Sequence, residues 1–424
     1  MANRIALTMV FTLSFASYVA PDLSLLLQIA PLVLFMLLVV FKVLLSSSLL
    51  TAMESLFAPD GLVFVFFLSL FLIAPSVQSS ESLAFSLLLC SCLLLARLYM
   101  AVVPLSEVLE AFFWSGVICI AFFVPMALAT LIEAIRSLSR FTAFNFHPNL
   151  LAFVLAGFFC TMAWKTLIGG WVVRLIAFPL GIISLVIIFL ASSRGSIVGI
   201  LVGSVLAVAL STVRLVKGRN AKSLRRLLIF IALVIMAFMV VHAEGWFQDT
   251  SDVADQVLQV TDSNRGIDSG FSGRFDKWHE TINTMRDGSW LWGHGIRTSD
   301  SMSQLVDNSY VVTLYEVGIL PLVLISFRFF SLVIQSIKKY FSATDPTQAA
   351  THLVCILLMT VFLSNNFVAR YLFAVGNPYS LFALLVFVAP TSTLSASIRS
   401  ELLHRAYHAS AAESPRTDDL KGLA

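Results

Sequence analysis

Residues 242–306 read HAEGWFQDTSDVADQVLQVTDSNRGIDSGFSGRFDKWHETINTMRDGSWLWGHGIRTSDSMSQLV. Charged and glycine positions crowd this stretch, from Glu244 and Asp249 through Arg265, Arg274 and Lys277 to Arg297 and Asp300. On both sides the composition inverts into apolar runs of about 20 residues, the length of a membrane-spanning helix. The whole chain is 58% hydrophobic and 12% charged, with mean hydropathy +0.92. A soluble domain carries roughly 25% charged residues. The sequence therefore predicts an all-α polytopic membrane protein in which 242–306 is the one long aqueous insertion. Its tryptophans, Trp246, Trp278, Trp290 and Trp292, argue against disorder. A long ordered loop is usually functional. The alternating pattern of a membrane β-barrel is absent.

Working outward, about twelve spans are expected. Nine precede the insertion: Ile5–Ala20, Leu23–Leu45 (bent at Pro31), Leu62–Ala74, Ser82–Val103, Val108–Ile132, Asn149–Leu167, Trp171–Ala191, Gly195–Val213 and Leu224–Val241. Three follow it: Asn308–Phe330, Ala349–Ala369 and Pro378–Leu394. This divides the chain into helices over 1–241, a loop or lid with short helices over 242–306, helices over 307–396 and a tail over 397–424. Residues 1–20 also resemble a signal peptide, but a second apolar run starts after only Pro21-Asp22, which fits a retained hairpin better. All five cysteines (Cys90, Cys92, Cys119, Cys160 and Cys355) lie in apolar runs without metal or disulfide spacing. They read as small buried hydrophobes, and no metal or other cofactor is expected.

The basic cluster Arg214, Lys217, Arg219, Lys222, Arg225 and Arg226 marks a cytoplasmic side. Twelve spans put it on one side with Arg4, Lys338, Lys339 and the tail. Both termini are then cytoplasmic and the long loop faces out; if the membrane is the inner membrane of a bacterium, outside is the periplasm. The outer positive charges are Arg136, Arg140, Arg194, Arg265, Arg274, Lys277, Arg286, Arg297 and Arg370, with one lysine among them. Arginine binds phosphate through a planar fork of donors, so an anionic ligand, phosphate or diphosphate, is expected there. For Arg265 and Arg286 a solvated pairing with the loop's aspartates is an equal reading. Arg194 follows an apolar run with almost no loop and must sit at the membrane surface or in a cavity. Arg136 and Arg140 stand one helical turn apart and read as facing one cavity.

Four stretches go together: Phe146-His147-Pro148-Asn149, opening a helix; Ser193-Arg194-Gly195; Gly273-Arg274 with Trp278 and then Gly293-His294-Gly295; and Asp307-Asn308-Ser309-Tyr310, with Gly318 ten residues after Asn308. Asn149 reads equally as a helix cap or a sugar ligand. Tryptophan stacks on sugars and also anchors at membrane interfaces. His294 reads as a loop histidine or as an imidazole for the chemistry.

In order, spacing and placement these motifs resemble the bacterial O-antigen ligase and O-antigen/exopolysaccharide polymerase superfamily, most clearly over residues 144–325. The resemblance implies a GT-C-like bundle of about a dozen helices with a large periplasmic loop between helices 9 and 10. It also implies inverting glycosyl transfer from a polyprenyl-diphosphate-linked oligosaccharide, without a metal. Arg194 and Arg274 would hold the diphosphate, with Arg370 and Arg297 as secondary candidates. Asp307 would be the base or orient the acceptor, helped by Asn308 and Tyr310. Asn149, Trp278, His294, Arg136 and Arg140 complete the expected substrate site, Asn365 and Asn366 would line the sugar path, and Glu316 would pair with a buried arginine. Ligases of the family carry His where this chain has Asp307, a departure that favours a polymerase over a ligase. The implied partners are the lipid bilayer, a flippase and a chain-length regulator; nucleic acid is not expected. Two other classes remain open. A secondary transporter would show repeat halves and midplane charges, which are not visible, and an export-complex subunit without turnover would look alike in sequence.

Overall fold

The computed structural model describes residues 2–19, 25–44, 49–73, 80–137, 140–143, 147–216, 270–285, 289–301, 306–374 and 377–390. The expected ninth span, the basic cluster 217–226, Arg265, Arg286, loop residues 242–269 and the tail lie outside the described residues. Among the described residues there are fifteen α-helices, one 3-10 turn and no strand.

Before the insertion run α1 (Ala2–Val19), α2 (Leu25–Leu44), α3 (Leu49–Phe57), α4 (Pro59–Ile73), α5 (Ser80–Val102), α6 (Leu105–Met126), α7 (Leu128–Ser137), α8 (Pro148–Ile168), α9 (Trp171–Leu190) and α10 (Arg194–Val216). After it come α11 (Gly270–Thr284), α12 (Ser309–Val317), α13 (Ile319–Ser342), α14 (Pro346–Asn366) and α15 (Pro378–Val388). Seven of these, α5, α6, α8, α9, α10, α13 and α14, are long and apolar enough to cross a membrane. Shorter apolar segments lie in α2, α4 and α15. The protein is thus a polytopic helical membrane protein.

Two expected spans are broken. The third is not: α4 carries it and starts three residues earlier, at Pro59, with α3 a separate short helix before it. The fifth ends just after Pro125, and α7 follows as a separate amphipathic helix with Leu131 and Ala134 buried. The tenth stops at Gly318, whose φ of 87° no continuing helix adopts. α2, by contrast, runs through Pro31.

α8 and α15 form the centre. Every residue of α15 is buried, and 89% of the most apolar stretch of α8 is buried against 22% for α13. Lipid tails are as apolar as leucine, so packing rather than water exclusion holds such helices together. Gly157 lets the Tyr379 ring lie against the α8 backbone; a Cβ there would stand 2.7 Å from the ring. Phe112, Phe153 and Phe362 surround that ring. α10 meets α14 along Gly195, Gly199 and Gly203, one glycine per turn, where Cβ atoms would strike Val368, Asn365 and Leu357. The last carbonyls of α15 receive arginine donors: Arg97 donates to Val388 O at 3.2 Å, and Arg328 donates to Phe387 O at 3.0 Å and to Ala389 O. A helix end away from water needs such partners.

Candidate active site

The site lies at the end of the bundle where α8 and α10 begin and α9 and α14 stop. Residues 140–143 run along the end of α9, with Phe141 N donating to Leu190 O at 2.8 Å. This carries Arg140 to the α9–α10 turn. Its Nε donates to Ala191 O at 3.1 Å and its Nη2 to Asn149 Oδ1 at 3.1 Å. Asn149 is therefore an arginine partner. The capping alternative is corrected: His147 holds the cap position and Pro148 the first helical position. Arg136 and Arg140 do not share a helical face either. α7 stops at Ser137, and Arg136 remains exposed on its last turn. The turn itself is tight, with Ser192 at φ 55° and Ser192 N bonded to Phe189 O at 2.8 Å. It delivers Arg194, half-buried, as the first residue of α10.

From the insertion, α11 presents Arg274 and Trp278 one turn apart. Arg274 Nη2 lies 3.7 Å from Asp307 Oδ2, with the arginine side chain 21% and the aspartate 54% exposed. The structure thus joins two residues that lie 33 positions apart in sequence and that the motif reading assigned to one reaction. Trp278 packs edge-on to Phe275, and its indole N–H is buried without a hydrogen bond.

Residues 289–301 are pinned to α12 and α13. His294 N donates to Tyr315 O at 2.9 Å, Gly295 N to Glu316 O at 2.8 Å, and Ile319 N to Trp290 O at 2.7 Å. Two glycines with positive φ, Gly293 and Gly318, let the backbones touch; a Cβ on either would lie within 2.5 Å of the opposite main chain. The His294 ring stacks on Tyr315 at 4.3 Å, with Nδ1 3.2 Å from Tyr315 O, so the imidazole serves the loop's packing. Arg297 holds φ 67° and lays its guanidinium 4.3 Å over the Phe85 ring of α5. Ser299 joins two charges: it receives Arg370 Nη2 at 2.8 Å and donates to Glu316. Glu316 is therefore linked to an arginine through a serine, on the short α12 rather than along a spanning helix.

At the insertion's exit Asn308 is buried and caps α12, accepting from Tyr310 N at 2.9 Å and Val311 N at 3.1 Å. The Tyr310 hydroxyl donates to Leu363 O at 2.9 Å. Burial holds this phenol well above its ordinary pKa, so Tyr310 stays protonated. Asn365 and Asn366, expected along a sugar path, are 2% and 0% exposed and bond to Ser196 and Ser309. Ser196, Ser299 and Phe85 were not legible as neighbours of the site, because single serines and phenylalanines carry no spacing signal; Ser309 stood inside a motif but had no role assigned.

The arrangement offers a half-exposed carboxylate beside a guanidinium, with Arg140, Arg194 and Arg370 at the same end of the bundle. A search of the curated proteins returned no match. The family model of the O-antigen ligases matches residues 179–326, which take in the Arg194 turn, Arg274, the Gly293–Gly295 turn and Asp307 through Gly318. Over residues 179–326 the chain is thus similar to the O-antigen ligases, a family of membrane enzymes that process glycans.

Proposed function

We propose that the protein is a polysaccharide polymerase that joins oligosaccharide repeats carried on a polyprenyl diphosphate at the periplasmic face of a bacterial inner membrane. The observation that carries this reading is the Arg274–Asp307 pair inside the matched domain. A partly exposed pair at 3.7 Å contributes on the order of 1 kcal/mol or less, so a diphosphate, with its higher charge, can displace the carboxylate from Arg274. The donor then arrives by freeing Asp307. The acceptor hydroxyl attacks the anomeric carbon opposite the leaving group, its proton passing to Asp307. The bond between that carbon and the diphosphate oxygen breaks with inversion. The leaving polyprenyl diphosphate keeps the electron pair, and Arg194 and Arg274 meet its growing charge. Arginines already fixed in place need no reorganisation to do this, and the chemistry calls for no metal. Bundle topology with about twelve spans and both termini cytoplasmic belongs to the same reading, as do a flippase and a chain-length regulator as partners.

A second reading, transfer of the finished glycan to a different acceptor, is supported by the family's own description as a ligase. Asp307 in place of the ligase histidine favours the polymerase. Purified protein in vesicles, given only a lipid-linked repeat in the presence of a chelator, separates them. A ladder of lengthened lipid-linked glycans is expected. Product only when a separate lipid acceptor is added would make it a ligase. No product in either case, with counterflow of a small solute, would refute both in favour of a transporter.

A further inference from the structure

The Arg194 turn and the Asp307 turn come from segments more than a hundred residues apart, yet both end on α14. The last two residues of that helix, Asn365 and Asn366, are used in the same way. Each amide Nδ2 donates back to the carbonyl four residues earlier: Asn365 to Val361 O at 2.9 Å, Asn366 to Phe362 O at 2.8 Å. That bond fixes the side chain and turns Oδ1 outward as an acceptor. Neighbouring residues on a helix point about 100° apart, by 3.6 residues per turn, so the two oxygens face different helices. Asn365 Oδ1 takes Ser196 Oγ of α10 at 2.7 Å. Asn366 Oδ1 takes Ser309 Oγ of α12 at 2.6 Å, a hydroxyl it shares with Ala369 O at 2.7 Å, and Tyr371 N at 3.2 Å.

The two serines are placed alike. Ser196 is two residues after Arg194, and Ser309 is two residues after Asp307; both lie in the first turn of their helices. Each arm has further support at the same point. Gly195 and Gly199 let α10 approach until a Cβ would lie 2.1 Å from Val368 and 3.1 Å from Asn365 Nδ2. Ser309 N donates to Ala369 O at 3.0 Å, and Leu372 N donates to Ser309 Oγ at 3.2 Å. All four polar side chains are buried, so none of these bonds is exchanged for water. An unmade bond at such a place costs the full desolvation of the group left behind.

We infer that Asn365 and Asn366 are positioning residues that set the cationic turn at Arg194 and the carboxylate turn at Asp307 against one helix end. This rests on the functional reading above for what the two turns do, but not for the geometry. Because the arms are separate, the two asparagines should fail differently. Asn365→Ala loosens the arm that holds the diphosphate; Asn366→Ala loosens the arm that holds the base. A misplacement near 1 Å costs about a hundredfold in rate, so Asn366→Ala should lower kcat by roughly that factor with donor KM little changed. Asn365→Ala should raise the donor KM about tenfold or more and lower kcat as well, because Arg194 meets the diphosphate both on binding and as its charge grows; a raised donor KM is what sets it apart from Asn366→Ala. Ser196→Ala should copy Asn365→Ala and Ser309→Ala should copy Asn366→Ala. The doubles Ser196→Ala/Asn365→Ala and Ser309→Ala/Asn366→Ala should lose little beyond their singles, as expected for partners in one bond, whereas Asn365→Ala/Asn366→Ala should show both exchange changes at once.

The experiment measures donor KM and kcat for the four singles and three doubles in vesicles, with amide hydrogen exchange on the same preparations. Exchange is expected to rise at residues 192–199 for Asn365→Ala and at 307–314 for Asn366→Ala, each without the other. Variants that merely lower folded yield, with KM and kcat as in the wild type, would overturn the inference. So would a common pattern of exchange in both. A wild-type protein that transfers no sugar would sink the functional reading instead. The exchange pattern would then decide the geometric claim alone, because it needs no substrate.

Discussion

Gly293→Ala tests whether the 289–301 segment is a fixed wall of the site. The added Cβ would lie 2.4 Å from both C and O of Glu316 and 2.5 Å from Val317 N, all backbone atoms. None can rotate away as a side-chain tip would. The residue also holds φ 68°, where an L side chain costs roughly 1–2 kcal/mol. Overpacking a filled contact adds about 1–3 kcal/mol, giving a local penalty of roughly 2–5 kcal/mol. The three backbone bonds that pin the segment, at His294, Gly295 and Ile319, contribute about 1 kcal/mol each net. Penalty and restraint are comparable, so the segment should detach without unfolding the bundle. Arg297 would then leave Phe85, and Arg370 would lose Ser299. Limited proteolysis in detergent should show new cleavage within 289–301, and glycan product should fall at least tenfold while the spanning helices melt as in the wild type. Wild-type protease resistance together with wild-type product would refute the reasoning.

Asp307→Asn keeps the shape but removes the base; transfer should drop by about 10²–10⁴ while donor binding holds or tightens, since Arg274 loses its competitor. Equal transfer by the variant would remove Asp307 from the chemistry. Arg97→Leu strips a donor from Val388 O and from Ser55 O and removes the guanidinium 3.3 Å from Asp60. The expected cost is about 3–5 kcal/mol, read as a lower melting temperature, with part of it restored by adding Asp60→Asn. Gly199→Leu should separate α10 from α14 and lower both melting temperature and product; a variant that melts as the wild type does would contradict the close packing there.

The membrane class and most span positions were legible, because a spanning helix declares itself by apolar length alone. Five of the seven long apolar helices fall within a few residues of the runs read from the sequence; α6 ends six residues early, at the turn after Pro125, and α13 starts at Ile319, eleven residues after the expected start of the tenth span. What hydropathy could not show was a break inside an apolar run. Gly318 interrupts the chain without changing its hydropathy, so one continuous tenth span is expected where α12 and α13 are separate helices. The motif residues were legible as a set, and Arg274 and Asp307 do meet. Their supports were not. Asn308 and Tyr310 look like ligands in sequence and are seen capping α12 and bonding to α14, because hydrogen-bond partners depend on which helix ends the fold brings together. His294 was open between two readings, and stacking on Tyr315 favours the packing role. Asn365 and Asn366 drew attention as polar residues ending an apolar run, but only their bonds to Ser196 and Ser309 separate a sugar path from a support.

The central claim is that guanidinium groups at this end of the bundle hold a diphosphate. Binding of polyprenyl diphosphate, without any sugar, to the purified wild type, Arg194→Lys and Arg274→Ala tests it most directly. Loss of a charge-assisted bond of about 1.5–3 kcal/mol predicts affinity weaker by roughly 10- to 150-fold in each variant, the lysine failing because it lacks the two-pronged fork. Unchanged affinity in both variants would contradict the account.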